Sequence, residues 1–328
     1  MKDWIHWGIL GTGEIAHKFA QGLAATDGAK LVAVGSRSAG RAREFANECG
    51  VPKAYGNYVD FVSDPDVDVI YIASPISEHY EHMLLCLHHG KAVLCEKSFT
   101  VNEAQANRVV QLACQKNLFL MEAMWTRYLP VTLKVREWLQ SGCIGEPRLF
   151  TADLGFCMEW RPEQLLFNPK LGGGALLSVG VYPVSYASMV FNTQPARIAT
   201  MSDLGQTGVD EQFAAVFGYD GGRMASFTSA IRTQTRPEGY IYGTEGYIHL
   251  PKFFAPRAAE LFVNGRESER YEPEFLSTGY GYEAAEVGRC LREGKLESDA
   301  IPLDETLAVL RTMDEMRRQW GFKYPFES

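Results

Sequence analysis

The stretch Ile5-His6-Trp7-Gly8-Ile9-Leu10-Gly11-Thr12-Gly13-Glu14-Ile15-Ala16 decides the fold. The apolar run Ile5 to Leu10 reads as a strand buried on both faces, and Glu14 to Ala25 has helical spacing. Between them lies a G-x-G-x-x-A fingerprint. Its first glycine allows the tight turn, its second lets a pyrophosphate approach the backbone, and Ala16 keeps the helix near the strand. Alone, such a fingerprint can be an ordinary strand-to-helix turn. Its strand-turn-helix setting makes dinucleotide binding the expectation, through Gly11, Thr12, Gly13, Glu14 and Ile15.

The same rhythm continues outward. Leu31 to Val34, Val69 to Ala73, Ala92 to Cys95 and Phe119 to Glu122 read as further buried strands. Gly40 to Cys49, Glu78 to His88 and Asn102 to Gln115 read as helices between them, with Ser77 expected as the N-cap of the second. Strands separated by helices pair in parallel through crossovers, so residues 1–125 are expected to form a doubly wound Rossmann sheet. Residues 126–328 differ in texture. Glu211 to Tyr219 and Arg223 to Ile231 flank the turn Asp220-Gly221, Tyr240 to Tyr242 and Tyr247 to Leu250 flank Gly243 to Gly246, and Glu260 to Val263 precedes Asn264-Gly265. They predict an α+β domain built on a large open antiparallel sheet. Two closing helices, Tyr282 to Glu293 and Asp304 to Trp320, are expected to pack on the first domain or across the sheet edge. With no flexible linker in view, the two domains should abut and leave a cleft.

Composition sets the bounds. The 328 residues fit two domains, and 46% hydrophobic with 22% charged residues excludes a disordered or fibrous chain. The 32 Lys and Arg against 40 Asp and Glu give a net charge of −8 without a basic stripe, which argues against nucleic acid as a partner. No run reads as a membrane span, and Met1 to Leu10 lacks the features of a signal peptide, so a cytoplasmic protein is expected. Seven cysteines without a C-x-x-C pair read as reduced thiols, mostly core residues. His79 and His82 lack the company of an H-E-x-x-H motif, so no metal is expected.

After the second strand, NAD enzymes place an acid that holds the ribose hydroxyls. Here stand Ser36, Arg37 and Ser38, with Arg41 one turn on and no acid nearer than Asp27 or Glu44. A guanidinium and two hydroxyls suit a 2′-phosphate, so NADP is expected over NAD. At the fourth strand run, Cys95-Glu96-Lys97 puts a lysine at the carboxyl edge of the sheet, where such folds bind ligands. Far along the chain, the glycine-rich run Gly172 to Ala175 opens a helix that carries Tyr182 toward the cleft.

Together with Trp7-Gly8-Ile9, Ala46, Pro52 to Gly56, Gly90 to Lys97, Phe119 to Arg127 and Gly173 to Leu177, these residues give nearly the whole chain a resemblance. It resembles the Gfo/Idh/MocA oxidoreductases, and within them the dimeric dihydrodiol dehydrogenase branch that also holds NADP-dependent D-xylose dehydrogenases. The resemblance implies that Lys97 and Tyr182 are catalytic. Chemistry agrees: oxidising an alcohol needs a base, and lowering a tyrosine by about two pKa units takes ~2.7 kcal/mol of anion stabilisation, which an ammonium can supply. The resemblance also implies cofactor contacts at Ser74, Pro75, His79 and Glu96. Trp125, Phe156 and Phe254 are expected as substrate walls, equally readable as domain-interface core. Arg127 is expected to contact substrate or cofactor, or to pair with an acid.

Three departures bear on substrate and geometry. Ser98 stands where the family has proline after Glu-Lys, so the following peptide is expected either trans and re-aimed, or cis. Ser178 stands where the family has an aspartate, which removes a charge that orients sugar hydroxyls. Ile76 follows Ser74-Pro75 where the family has asparagine. The expected activity is hydride transfer between NADP and a sugar or cyclic diol. Alternatives are a ketose or anhydrosugar reductase and, from another class, a non-catalytic dinucleotide sensor; retention of Lys97 and Tyr182 favours an enzyme. A homodimer through the open sheet is expected, because that face needs cover.

Overall fold

The computed structural model describes residues 4–327. The amino-terminal elements alternate as the sequence predicts: β1 (Ile5–Leu10), α1 (Glu14–Ala24), β2 (Ala29–Gly35), α2 (Ala39–Cys49), β3 (Lys53–Tyr55), α3 (Tyr58–Val62), β4 (Val69–Ile72), α4 (Ile76–His88), β5 (Ala92–Glu96), α5 (Glu103–Lys116) and β6 (Leu120–Ala123). The six strands are parallel, in the order β3-β2-β1-β4-β5-β6. Every residue of β4, β5 and β6 is buried, which is why these strands lack alternation. The strand order reverses at β1, next to β4, and there the carboxyl ends open a crevice for a ligand. One local expectation is corrected. Helix α4 starts at Ile76 with Pro75 as its N-cap, so Ser77 lies inside the first turn, its hydroxyl buried and capping nothing. The fixed φ of proline already suits the entry, and the helix begins two residues early.

The later elements are α6 (Pro130–Ser141), β7 (Pro147–Gly155), α7 (Val181–Phe191), β8 (Arg197–Leu204), β9 (Asp210–Gly218), β10 (Met224–Ala230), β11 (Gly239–Gly243), β12 (Gly246–Leu250), β13 (Ala259–Val263) and β14 (Glu269–Tyr271). They build an eight-stranded sheet in the order β14-β13-β12-β11-β7-β10-β9-β8. The sheet is mixed: β7 and β10 run parallel, Phe150 beside Ala225, while the other neighbours are antiparallel. Strand β7 belongs to no hairpin, so local turn signals could not reveal its direction. One face packs Phe150, Phe213, Phe217, Phe227 and Ile241 into a core. The other leaves Met201 78%, Met224 44% and Val216 41% exposed. The run Pro169–Phe191 exceeds what the sequence reading allowed: it is long and apolar enough for a membrane span, yet its whole span-length window is buried within the protein.

Two helices close the chain, α8 (Gly281–Glu293) and α9 (Leu303–Trp320). The chain divides into two compact units. The first holds the residues up to Thr100, Ala104–Tyr128 and Phe275–Leu307; the second holds Val101–Glu103, Leu129–Glu274 and the residues from Ala308. Helix α8 therefore belongs with the parallel sheet. It meets α1 glycine on glycine: a Cβ on Gly22 would come within 2.7 Å of the Gly281 nitrogen, and one on Gly281 within 2.7 Å of the Gly22 oxygen.

Candidate active site

In the first unit, the turn after β1 is shaped for a phosphate group. Gly11 has φ +107°, and a Cβ there would press on the Ala73 carbonyl at 2.9 Å. Gly13 is the N-cap of α1 with no side-chain cap, and a Cβ on it would meet nothing within 4 Å. The first amides of α1 thus face open space that a Cβ would fill, the arrangement a pyrophosphate needs. The turn fits a dinucleotide. Exposed Glu14 pairs with Lys18 at 2.7 Å, while Ile15 is half-buried.

Beyond β2, Ser36 is buried and its amide is bound by the Tyr55 carbonyl at 3.0 Å. Ser38 caps α2, its Oγ accepting from the Arg41 amide. Arg37 is exposed, close enough to His82 to depress its pKa further below the usual value. Arg41 lines a cavity of about 290 Å³ with Thr12, His17, Glu44, Phe45 and Glu48. His17 and Glu48 were not visible as site residues in the sequence. His17 bridges the Gly13 carbonyl (3.0 Å) and Glu48 Oε2 (2.8 Å), a link between the fingerprint and α2 that no local motif announces.

At the ends of β4 and β5, His79 ties two loops together. Its Nδ1 lies 3.0 Å from the Ser98 carbonyl oxygen and its Nε2 2.9 Å from that of Ser74. Burial holds this imidazole below its usual pKa, so in the neutral form it donates to one of the two. His82 Nδ1 reaches Ser74 Oγ at 2.9 Å, and burial pulls His82 down to about 4. The Lys97–Ser98 peptide is cis, the second of the two expected arrangements. Burial lowers the Lys97 pKa, while Glu96 and Glu122 oppose that shift. Glu96 accepts from Tyr71 Oη at 2.5 Å and from the Lys97 amide at 3.1 Å. Glu122 accepts from Thr306 Oγ1 at 2.9 Å, and burial lifts it to about 7.

Trp125 stacks on Tyr280 with ring centroids 4.7 Å apart. For Arg127 the structure shows the acid pair, one of the expected alternatives. Only 2% exposed, it forms a two-pronged pair with Glu305 at 2.9 and 3.2 Å and reaches the Ala300 carbonyl at 3.3 Å. A guanidinium committed in this way fixes the start of α9 and has no open edge for a sugar hydroxyl.

In the second unit, the glycine-rich run is explained by one carboxyl. Asp210 Oδ2 accepts from the Leu176 amide at 2.6 Å, and Gly174, at φ +119°, has no room for a Cβ beside Asp210 Oδ1. A π-helical turn, Leu176–Gly180, follows and delivers Tyr182 in the first turn of α7. Ser178 lies in that turn, buried. The Phe254 ring stands 5.7 Å from Tyr182 and 5.6 Å from Phe156, so the three aromatic side chains form a single cluster. Asp210 is 34 residues from the turn it caps, and only the fold reveals the pairing.

The comparisons with known proteins fit this arrangement. The family model described as "Oxidoreductase family, NAD-binding Rossmann fold" matches residues 5–124, and the "GFO/IDH/MocA C-terminal domain" model matches residues 132–249. The trans-1,2-dihydrobenzene-1,2-diol dehydrogenase of Mus musculus is 38% identical over 98% of each chain. The D-xylose 1-dehydrogenase (NADP(+)) of Hypocrea jecorina is 36% identical over 98% of this chain and 93% of its own. Among solved structures, an aldose-aldose oxidoreductase from Caulobacter crescentus shares the fold with a TM-score of 0.88 at 20% identity, over 97% of this chain and 98% of that one. The chain belongs to the Gfo/Idh/MocA family and is an oxidoreductase whose first unit is an NAD(P)-binding Rossmann domain.

Proposed function

We propose that the protein is an NADP-dependent dehydrogenase acting on a CH–OH group of a sugar or a cyclic diol, with Lys97 and Tyr182 as its catalytic residues. The observation that carries this reading is the environment of Lys97. A half-buried amine just past the carboxyl end of β5, beside Glu96 and Glu122, stands at the sheet edge where such folds bind ligands. Relatives named for sugar and diol dehydrogenation, similar over nearly their full length, support the substrate class. In oxidation Tyr182 accepts the hydroxyl proton, and the Lys97 ammonium stabilises the phenolate. A bound nicotinamide supplies the hydride acceptor, or the donor in reverse. Phe156, Phe254 and Trp125 wall the substrate, and Ser178 offers a hydroxyl where a charge would select more strongly among sugars.

The preference for NADP rests on Arg37 and Arg41 beside the hydroxyls of Ser36 and Ser38. Arg37→Ala should raise the KM for NADP about ten- to a hundredfold and leave that for NAD nearly unchanged, since one charge-assisted phosphate contact contributes about 1.5–3 kcal/mol. Equal effects on both cofactors would count against the assignment.

A panel of aldoses, ketoses, anhydrosugars and cyclic diols, followed by NADPH absorbance in both directions, tests the activity. Turnover on an aldose or diol with NADP is expected. Turnover only in reduction, on a ketose or anhydrosugar, would reverse the assignment. Tight NADPH binding with no turnover on any compound would make the protein a sensor. Tyr182→Phe should lower kcat about a hundred- to ten-thousandfold with cofactor binding intact. We also propose a homodimer through the open face of the eight-stranded sheet. Its apolar positions stand beside a row of stacked rings, Tyr240 on Tyr242 and His249, and Tyr247 on Phe262. Exposed apolar and aromatic side chains gathered on one face support an interface there. Light scattering should give twice the 36.6 kDa chain mass.

A further inference from the structure

Past the end of β5, the backbone that carries Lys97 is pinned at successive peptide groups by nearby side chains. The Lys97 amide donates to Glu96 Oε2 at 3.1 Å, and the Ser98 carbonyl lies 3.0 Å from His79 Nδ1. The Phe99 carbonyl accepts from Cys95 Sγ at 3.8 Å, and the Phe99 amide donates to Glu122 Oε1 at 3.3 Å. The last of these contacts comes from a different strand, β6, and links the segment to a third element.

Glu122 stands apart on that strand. Every residue of β6 is buried, and the others are Leu120, Met121 and Ala123. An apolar side chain would fill the position without the cost of burying a carboxyl. The carboxyl is engaged at both oxygens: besides the Phe99 amide, its Oε2 accepts from Thr306 Oγ1 at 2.9 Å, in the first turn of α9. That turn is also gripped by Arg127 through Glu305, so it is a fixed point. Glu122 thus bridges a fixed turn of α9 and the peptide two residues past Lys97. Its grip survives neutralisation, because a protonated carboxyl can donate to the Thr306 hydroxyl and still accept from the amide. Its charge bears on Lys97 as a separate effect.

We propose that Glu122 is a positioning residue: its carboxyl, anchored on Thr306, holds the Phe99 amide and so fixes the backbone that aims the Lys97 amine. The proposal rests on the catalytic reading of Lys97, and its test separates the two.

Methionine at this position fills the space but takes neither hydrogen bond, whereas glutamine can accept from Phe99 and donate to Thr306. With the aldose or diol that is turned over, Glu122→Met should lower kcat at its pH optimum about tenfold or more and change the KM for NADP less than about threefold. Hydrogen exchange of residues 97–100, followed by mass spectrometry, should quicken about tenfold or more. Glu122→Gln should keep both kcat and exchange within about threefold of wild type. Glutamine as impaired as methionine would overturn the proposal in favour of charge, and methionine as active as wild type would overturn it in favour of packing alone. In the Lys97→Ala background, Glu122→Met should lower kcat no further; a second full loss would overturn action through Lys97. If Glu122→Met does not fold, Thr306→Val removes one anchor and should move kcat and exchange the same way by about two- to fivefold, and no movement in either would overturn the proposal. Lys97→Ala with wild-type turnover would end the catalytic reading and this role together. Unchanged exchange in Glu122→Met would overturn the hold on the segment and leave that reading standing.

Discussion

The two sheets solve the same problem in opposite ways. The six-stranded parallel sheet has helices between its strands in sequence, and its central strands are buried throughout. The eight-stranded sheet hides one face and shows the other, where Met201, Val216 and Met224 alternate with buried neighbours. The first sheet is complete within its own unit of chain. The second presents apolar surface that a second molecule can cover.

That contrast can be broken most severely from inside the first sheet. Ile70, in β4, is 0% exposed, so Ile70→Asp should destabilise by more than about 4 kcal/mol and leave little soluble protein, as measured by denaturant unfolding. Retention of a cooperative transition near the wild-type midpoint would refute full coverage of this sheet. The matched charge on the second sheet should behave differently. Val216→Asp, at a 41% exposed position, should change monomer stability by no more than about 1 kcal/mol, yet shift the proposed dimer to monomer in light scattering. A dimer that survives would place the subunit contact elsewhere.

A pH-dependent effect sharpens the picture of the second unit. Burial lifts Asp210 to about 7 from its usual 3.8. The folded protein therefore keeps a proton that the unfolded chain has released. The resulting stability is fully present below pH 3.8 and declines as the pH climbs to about 7. Asp210→Asn should flatten this decline, by at most about 1.4 kcal/mol per pH unit, in urea unfolding measured at several pH values. Parallel pH profiles for the two proteins would show that the cap does not titrate in this range.

The same asymmetry explains what could be read in advance. Strands β1, β4, β5 and β6 are short, mostly apolar runs between helical stretches, so composition and period sufficed for the first unit and for the fingerprint. Hairpin strands β9, β10, β11 and β12 carry their own turn signals. Strand β7 does not, since its partners β10 and β11 lie far along the chain, and β8, although Gly205 and Gly208 turn it into β9, has no buried position to mark it as a strand. Among site residues, Lys97 was legible because it ends a buried strand, and Tyr182 because family resemblance marks it. Arg127 was ambiguous until Glu305, 178 residues away, was seen to hold it. His17 and Asp210 matter through partners on other elements, and no spacing rule connects them.

The discontinuous make-up of the first unit has a consequence for biosynthesis. Its six strands and the fingerprint emerge early from the ribosome, but Phe275–Leu307, with the glycine that seats α8 against α1, emerges only near the end. At roughly 5–20 residues per second, the nascent nucleotide-binding layer waits on the order of ten seconds for its missing helix. Throughout that interval the face of α1 around Gly22 lacks the helix that covers it in the folded chain.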